Sequence, residues 1–430
     1  MKVCFYGKTL PQILLELAAL PRLNTEIDLS RNDLGNRSCA DVVAIMNALP
    51  RDTQSINLRS NGLYLKSVSD LVTIIRALPV NLESLDLGWN KLCIKPAKDL
   101  EQIMSALPVS LKSLKLGWHS LPLKSDQNLA AIMNALPKTL QSLDLHGNNL
   151  GSKSYEELRA LFQALPAHLH SLDLRENALG TQADDVLHRL IKGLPAALKS
   201  LDLSGNRLYL KSALEFVSIM NSLPKNLHTL NLGNNNLFYN HSVENLVIIM
   251  NALPRDLRSL SLSGNALYKK SGENLLAIFQ QLPQGLNFLD LSGNILYQKS
   301  CRNLIAMIKV LPKWLQSLDL SRNQFYKKSM LALSHIINSM PNNLESIDLR
   351  SNGFDQVAVE DIMRIQQFAK IPSALIFDDS IMARRRVIGL HNHFIKRHSM
   401  LSKLFRVLEP QEDKHDNVTA EEQHSTWLIP

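Results

Sequence analysis

A segment of about 29 residues recurs twelve times along this chain of 430 residues. Copies read from the strand onward include LESLDLGWNKL at 82–92, LKSLDLSGNRL at 198–208 and LQSLDLSRNQF at 315–325. Eleven copies carry an Asn at the same place, His119 stands there in the other, and every step is 29 except the 30 from Asn235 to Asn265. A fixed period of this length predicts a solenoid, in which each unit packs only against its neighbours.

Each repeat reads as a short strand, a turn and a helix. In residues 198–226, SLDLS alternates apolar and polar residues, which is typical of a strand with one buried face. The Asn closes the turn, and buried Asn side chains stacked at one level should form a ladder that bonds unpaired backbone groups. Ser212, followed three residues later by Glu215, predicts a capping box at the helix start, and Pro224 predicts the helix end.

The two kinds of element have different widths, which predicts the shape of the stack. Parallel strands lie about 4.8 Å apart, whereas helices need about 10 Å. The sequence therefore predicts an α/β solenoid shaped as a horseshoe, with parallel strands on the concave face and helices on the convex face. Strands should begin near residues 26, 55, 84 and 113 and continue in register.

The repeats resemble the leucine-rich repeat, LxxLxLxxNxL, of the long helical subtype found in ribonuclease-inhibitor-like proteins. The phrase ALPxxLxSLDLSGN is similar to leucine-rich-repeat effectors that intracellular bacteria inject into host cells. This similarity implies export without a classical signal peptide, from the cytoplasm of the producing cell into the host cytoplasm. It also implies a protein partner there, either a host protein or another effector. An acidic, Glu-containing C-terminal tail is similar to export signals of type IV secretion effectors.

Four parts are expected along the chain. They are an N-terminal cap (1–23), an array of twelve repeats with a terminal half-unit (24–377), a basic amphipathic helical segment (378–408) and an acidic disordered tail (409–430). Residues 381–408 hold seven Lys or Arg and no acid, with apolar residues on one helical stripe. This segment is expected to cover the apolar end of the solenoid; the alternative is that it binds an acidic membrane.

Several absences narrow the class of protein. The chain has no run of 18 apolar residues, so no membrane span is predicted. Its four cysteines lack paired spacing, which fits a reducing compartment. GxxxxGK[ST], GxSxG and HExxH are absent, and His391, His393 and His398 have no Cys or carboxylate at ligand spacing. We therefore predict that the chain is not an enzyme and that it has no cofactor and no metal site.

An acidic column is predicted on the concave face. The outward position between the two strand leucines is Asp in eight of twelve copies, among them Asp86, Asp144 and Asp173. One interpretation is that these carboxylates keep the sheet soluble; the other is that they attract a basic partner. Residues 1–380 carry a net charge of only +6, so nucleic acid is not expected as a partner. We expect a monomer.

Departures from the repeat mark a candidate binding surface. Copies 3 and 4 place Trp89 and Trp118 at the outward ends of adjacent strands, and tryptophan is enriched at binding hot spots. The alternative is that the two rings pack over the turn. The candidate set is Trp89, Trp118, Lys115, His119, Arg59, His146, Arg175, Glu176, Asp86, Asp144 and Asp173.

A second column follows the turn: it consists of Tyr64, Tyr209, Tyr239, Tyr268, Tyr297 and Tyr326, and all but Tyr239 are followed two residues on by a lysine, at Lys66, Lys211, Lys270, Lys299 and Lys328. The more common arrangement is packed tyrosines with solvated lysines; the alternative is a binding edge for an acidic partner, a membrane or nucleic acid. Taken together, the sequence predicts a protein-binding solenoid. The second hypothesis is an adaptor whose basic C-terminal segment binds a membrane or recruits host machinery while the repeats select cargo.

Overall fold

The computed structural model describes residues 1–20, 25–118, 121 and 129–379. Within them, thirteen strands form one sheet in chain order, and every neighbouring pair is parallel. The first four strands begin at residues 26, 55, 84 and 113, which confirms the predicted register and fold. The strands are β1 Glu26–Asp28, β2 Ser55–Asn57, β3 Ser84–Asp86, β4 Ser113–Lys115, β5 Ser142–Asp144, β6 Ser171–Asp173, β7 Ser200–Asp202, β8 Thr229–Asn231, β9 Ser259–Ser261, β10 Phe288–Asp290, β11 Ser317–Asp319, β12 Ser346–Asp348 and β13 Leu375–Ile376.

A helix follows the N-terminal segment and each strand from β1 to β12, and a second short helix follows β8. Most of the repeat helices begin after a Ser cap and end before the next Leu-Pro or Met-Pro pair, where proline cannot continue the helix; the last one is followed by Ile371-Pro372 instead. The helices are α1 Leu10–Ala18, α2 Cys39–Asn47, α3 Val68–Arg76, α4 Ala97–Ser105, α5 Leu129–Asn134, α6 Tyr155–Gln163, α7 Leu187–Lys192, α8 Ala213–Ser222, α9 Leu237–Asn240, α10 Val243–Asn251, α11 Gly272–Phe279, α12 Cys301–Lys309, α13 Met330–Asn338 and α14 Val359–Phe368.

A continuous leucine-rich core separates the sheet from the helices. In the repeat containing β7, Leu201 in the strand, Leu203 just after it, Leu208 from the turn and Ile219 from α8 are all buried. The same positions are filled by Leu, Ile or another apolar residue in the neighbouring repeats, so that one layer of side chains packs on the next. Each repeat therefore depends on its neighbours to bury its apolar face, as expected for a solenoid.

The Asn ladder predicted from the sequence is present. The Oδ1 atom of Asn206 accepts hydrogen bonds from the backbone N–H of Asn177 (3.1 Å) and of Leu179 (3.2 Å), both in the preceding repeat. Its Nδ2 donates to the backbone oxygen of Leu174 at 2.9 Å. Asn206 is fully buried, so water cannot reach the backbone groups that the turn leaves without a backbone partner. The Asn206 side chain supplies their hydrogen bonds instead. The ladder holds each turn to the one before it.

Two residues that flank the ladder Asn lie in the left-handed region of φ, which the sequence analysis did not predict. The residue before the Asn has positive φ at, for example, Trp89 (58°) and Gly205 (65°), and the residue after it at Asn149 (53°) and Ile295 (57°). Glycine and asparagine tolerate this conformation, but it crowds the branched Cβ of isoleucine. Ile295 is therefore the most strained of these positions.

Replacing Ile295 with Asn, the residue found after the ladder Asn at position 149, is expected to stabilise the protein by about 1 kcal/mol. The gain should come from relief of backbone strain, because Ile295 is only partly buried. Chemical unfolding of the two proteins measures the difference. The control is Asn149→Ile, which should destabilise its repeat by a similar amount; equal stability of all three proteins would contradict the argument.

One local prediction was wrong, and a second holds only in part. The lysines after the tyrosine column are not solvated: Lys66 and Lys211 are buried and donate to the backbone oxygens of Arg37 and Gln182, 29 residues earlier. The same bond recurs from Lys299 to the oxygen of Lys270 at 2.6 Å. The long lysine stem lets the ammonium group reach a turn of the preceding repeat, and this reach cannot be read from a periodic pattern.

The capping box predicted at Ser212 forms only in part. The Ser212 hydroxyl accepts from the N–H of Glu215 at 3.2 Å, as predicted. The Glu215 carboxylate, however, is buried and accepts from the backbone N–H of Asp185 (3.1 Å) and of His188 (3.3 Å) in the preceding repeat. Helix α7 is shorter than its neighbours, and Glu215 bonds the backbone groups at its start. Glu215 therefore links its own repeat to the preceding one instead of capping its own helix.

The described residues at the two ends pack on the array. Near the N-terminus, Phe5 is buried and its N–H donates to the ladder residue Asn32, while β13 pairs with β12 at the other end.

No helix in the described part of the chain has the length and apolar character needed to cross a bilayer. The predictions for residues 21–23 and 380–430, which include most of the basic segment and the whole acidic tail, fall outside the described residues.

Candidate functional site on the concave face

Trp89 and Trp118 follow β3 and β4 and lie side by side at the end of the sheet. Their ring centroids are 4.8 Å apart, with 37° between the ring planes. Both residues have left-handed φ (58° and 56°), which projects the side chains from the turn. Trp89 remains 42% exposed. The two rings pack on each other at the surface, and the Trp89 ring is the one that remains exposed to solvent.

The aromatic pair extends on both sides. On one side the Arg59 guanidinium lies 5.5 Å from the Trp89 ring centroid, within the range of a cation–π contact. On the other side the His146 ring meets Trp118 edge to face, with centroids 5.8 Å apart. Four candidate residues from four successive repeats thus form one row: Arg59, Trp89, Trp118 and His146.

Two glycines make room for this row, and the sequence analysis did not single them out. A Cβ atom at Gly117 would overlap the His146 ring, and one at Gly147 would lie 2.8 Å from the Trp118 ring. Most other copies carry a larger residue at the position of Gly117. The signal available in the sequence was therefore the pairing of a small residue in one repeat with a large one in the next.

The acidic column has a structural role that explains why Asp recurs. Asp144 Oδ1 accepts from the backbone N–H of His146 at 2.9 Å, and Asp173 Oδ1 accepts from that of Arg175 at 3.0 Å. Asp86 makes the same bond to Gly88 at 2.8 Å. Each is an Asx turn that fixes the end of its strand. Attraction of a basic partner is thus not needed to account for the column, and it remains a hypothesis.

Asp144 and Asp173 differ in charge environment although they are neighbours in register. Burial raises the pKa of Asp144, but hydrogen bonds from the ring and backbone of His146, with the attraction of His146 and Arg175, outweigh it, and the net pKa lies below its ordinary value. Burial, with repulsion from Asp144 and Asp202, raises the pKa of Asp173 to about 6 despite the nearby Arg175. Asp173 therefore carries a poorly compensated negative charge.

The remaining candidates lie around this centre. Lys115 is exposed on β4, opposite Asp86 on one side and Asp144 on the other. Arg175 Nε lies 3.2 Å from Asp173 Oδ2, and Glu176 is exposed on the following turn. His119 falls outside the described residues. The structure thus brings ten candidates to one end of the concave sheet, within repeats two to six.

The acidic column also predicts that the stability of the fold depends on pH at Asp319, which lies outside this candidate site. Burial and repulsion from Asp290 and Asp348 raise the pKa of Asp319, even though the backbone and hydroxyl of Ser321 hydrogen-bond to its carboxylate. A raised folded-state pKa means that stability is greatest below the ordinary value of 3.8 and is lost as pH rises through the folded pKa. Ionised Asp319 therefore destabilises the fold at neutral pH.

Replacing Asp319 with Asn is expected to stabilise the protein at pH 7 by about 1 kcal/mol, because two like-charge neighbours across strands each cost a fraction of this. The amide keeps the bond to the Ser321 N–H and can donate to a neighbouring carboxylate, as Asn231 does to Asp202 at 2.9 Å. The gain should shrink as pH falls towards 4. Unfolding curves across this range measure it; a gain that does not depend on pH would contradict the electrostatic cause.

Comparison with known proteins places the repeats in a family. The family described as Leucine Rich Repeat matches residues 139–161. The crystal structure of the leucine-rich-repeat-containing protein LegL7 from Legionella pneumophila is similar, with 32% identity and a TM-score of 0.59 over 67% of this chain and 89% of that one. A chain of the yeast Rad7–Elc1 complex matches at 17% identity and a TM-score of 0.44, over 74% of this chain and 75% of that one. No curated protein matches.

The parallel sheet and the Asn ladder are the architecture of leucine-rich repeats, and the identity to LegL7 over most of that chain agrees with it. Proteins of this architecture are scaffolds for protein–protein interaction. The chain belongs to the leucine-rich-repeat family.

Proposed function

We propose that this chain is a non-enzymatic protein-binding solenoid that holds its partner against the concave end of repeats two to six. The observation that carries the proposal is the exposed tryptophan pair. Two large rings with centroids 4.8 Å apart, one of them 42% exposed, lie where the other repeats have mostly small or polar residues. Aromatic anchors surrounded by polar side chains are typical of the centre of a binding interface.

The left-handed backbone supports this interpretation. Two tryptophans occupy a conformation that four other repeats fill with glycine, at Gly147, Gly205, Gly264 and Gly293, and that the remaining six fill with smaller or polar residues, at Arg31, Ser60, Glu176, Asn234, Arg322 and Ser351. Holding a residue with a large side chain there costs about 1–2 kcal/mol, and the rings do not repay this cost by entering the core. Backbone strain that adds nothing to the fold is a reason to look for a function.

Charged groups around the tryptophans would set the orientation of the partner. Arg59, Lys115 and Arg175 are interspersed with Asp86, Asp144 and Asp173 over neighbouring repeats. Such a mixed surface favours a partner with complementary groups of both signs and disfavours a uniformly charged polymer. A protein partner fits this arrangement better than nucleic acid does.

The test is recovery of a partner from host lysate with the full-length chain, followed by measurement of its affinity. The matched control is Trp314→Ala, because Trp314 is 75% exposed but lies on the loop before β11, away from the concave row. The proposal expects Trp89→Ala to weaken binding and Trp314→Ala to leave it unchanged. Equal binding by the wild type and Trp89→Ala, or a loss confined to Trp314→Ala, would place the interface elsewhere.

The place of action is a separate proposal: the chain acts in the host cytoplasm after export. Similarity to a repeat protein of Legionella pneumophila supports a bacterial origin for this kind of array. The acidic tail, residues 409–430, supports export because it resembles type IV signals. Its removal is expected to leave thermal stability unchanged and to reduce translocation in a reporter assay. Undiminished translocation by the shortened chain would contradict the export role.

A further inference from the structure

A histidine and two aspartates converge beside the tryptophan pair. Asp144 at the end of β5 is the direct register partner of Asp173 at the end of β6, and His146 lies two residues after Asp144 on the same face. One ligand atom from each of the three side chains falls within 4.8 Å of the others. The three side chains are largely shielded from solvent, with exposures of 13% for Asp144, 8% for His146 and 22% for Asp173.

We propose that Asp144, His146 and Asp173 form a binding site for a divalent transition-metal ion such as Zn²⁺. An imidazole nitrogen with two carboxylate oxygens is a donor set that suits zinc and its neighbours in the first transition row. Three protein ligands leave at least one coordination position for water or for a group from a partner. No metal site was predicted here from the sequence, in which Asp173 lies a full repeat away from the Asp-x-His pair.

The histidine ring is held in place before any ion binds. Gly117 provides the space in which the ring lies, and Trp118 contacts it edge to face at 5.8 Å. In this orientation Nδ1 lies 2.5 Å from Asp144 Oδ1. Packing around a ligand side chain is what keeps a metal site organised. Small rotations of the two carboxylates would open this pair to the separation of about 3 Å that ligands of one zinc ion adopt.

The local charge favours a cation. Asp144 and Asp202 lie on either side of Asp173 in register, so three carboxylates stand side by side on adjacent strands. The competing cation is Arg175, whose Nε is 3.2 Å from Asp173 Oδ2. The Arg175 side chain is 43% exposed, so it has room to turn aside when an ion binds.

The other copies of the repeat provide an internal comparison. The residue equivalent to His146 is a serine, glycine or arginine in all of them: Ser30, Arg59, Gly88, Gly117, Arg175, Ser204, Gly233, Ser263, Ser292, Ser321 and Arg350. Column residues occur in adjacent pairs elsewhere, as at Asp290 and Asp319, but without a nitrogen ligand. The proposed set is therefore confined to the fifth and sixth repeats.

The test is equilibrium dialysis of the metal-free full-length protein against Zn²⁺, with Cu²⁺ quenching of tryptophan fluorescence as a second readout. The variants are His146→Ser and Asp173→Asn, which introduce residues that the same positions hold in other repeats and so should preserve the fold. The matched control is Asp319→Asn in the same column. Circular dichroism verifies folding, and no partner protein is needed, so the outcome is independent of the protein-binding proposal.

We expect one Zn²⁺ per chain to be lost, or its affinity to fall about tenfold or more, in both variants and not in Asp319→Asn. Cu²⁺ should quench the wild type through Trp118, which contacts His146, and should quench His146→Ser much less. The proposal is overturned if His146→Ser retains the wild-type stoichiometry and affinity. It is equally overturned if Asp319→Asn loses as much zinc as Asp173→Asn, or if the wild type binds no zinc.

Discussion

Replacing Trp89 and Trp118 together with glycine is expected to weaken partner binding by at least about 2 kcal/mol, or roughly 30-fold, because central aromatic anchors contribute this much or more. Glycine is chosen over alanine because both positions have left-handed φ, 58° and 56°. The variant loses the ring contacts but also the backbone strain. Its stability should therefore stay within about 1 kcal/mol of the wild type.

Calorimetric titration of the recovered partner, beside an unfolding curve of each protein, separates binding from folding. A second variant, with both tryptophans changed to alanine, gives the same loss of binding with slightly lower stability if strain is the only difference. The opposite pattern would identify the tryptophans as packing residues: a large loss of stability in both variants, with unchanged affinity per folded molecule.

The fold could be predicted from the sequence almost to the residue because one number, the 29-residue step, determines the register. Once Ser55 and Ser84 are assigned to equivalent positions, parallel pairing follows, and so does the level at which Asn61 and Asn90 stack. The adjacency of Trp89 and Trp118 follows from the same argument. Errors of one or two residues are corrected by twelve repetitions of the pattern.

The 29-residue period does not predict the contacts of long side chains or of residues that differ from the repeat consensus. Lys211 donates to the backbone oxygen of Gln182, and Glu215 accepts from a backbone N–H at the start of α7. In both cases the side chain bonds a backbone group of the preceding repeat. The cluster of Asp144, His146 and Asp173 arises in the same way, from two repeats that differ from the consensus at complementary places. Such contacts depend on what the neighbouring copy lacks, so they require the structure.

Replacing Asn206 with Ala is expected to destabilise the centre of the array by about 3 kcal/mol or more. The change removes the acceptor for two buried backbone N–H groups, those of Asn177 and Leu179, and the donor to the oxygen of Leu174. Each buried donor left without a partner costs about 1–3 kcal/mol. Water cannot replace the lost acceptor easily, because the site is fully buried.

Hydrogen exchange measures this at the groups concerned. The amides of Asn177 and Leu179 should exchange faster in Asn206→Ala, whereas those of distant repeats should change less, because a solenoid transmits stability mainly between neighbours. Lys225→Ala is the control, since Lys225 is exposed on the loop of the same repeat. If Asn177 and Leu179 remain as protected as in the wild type, the backbone must have found another acceptor, and the ladder contributes less to stability than its geometry indicates. An increase in exchange that begins at these two amides and fades along the array would instead show that the Asn side chains couple one repeat to the next.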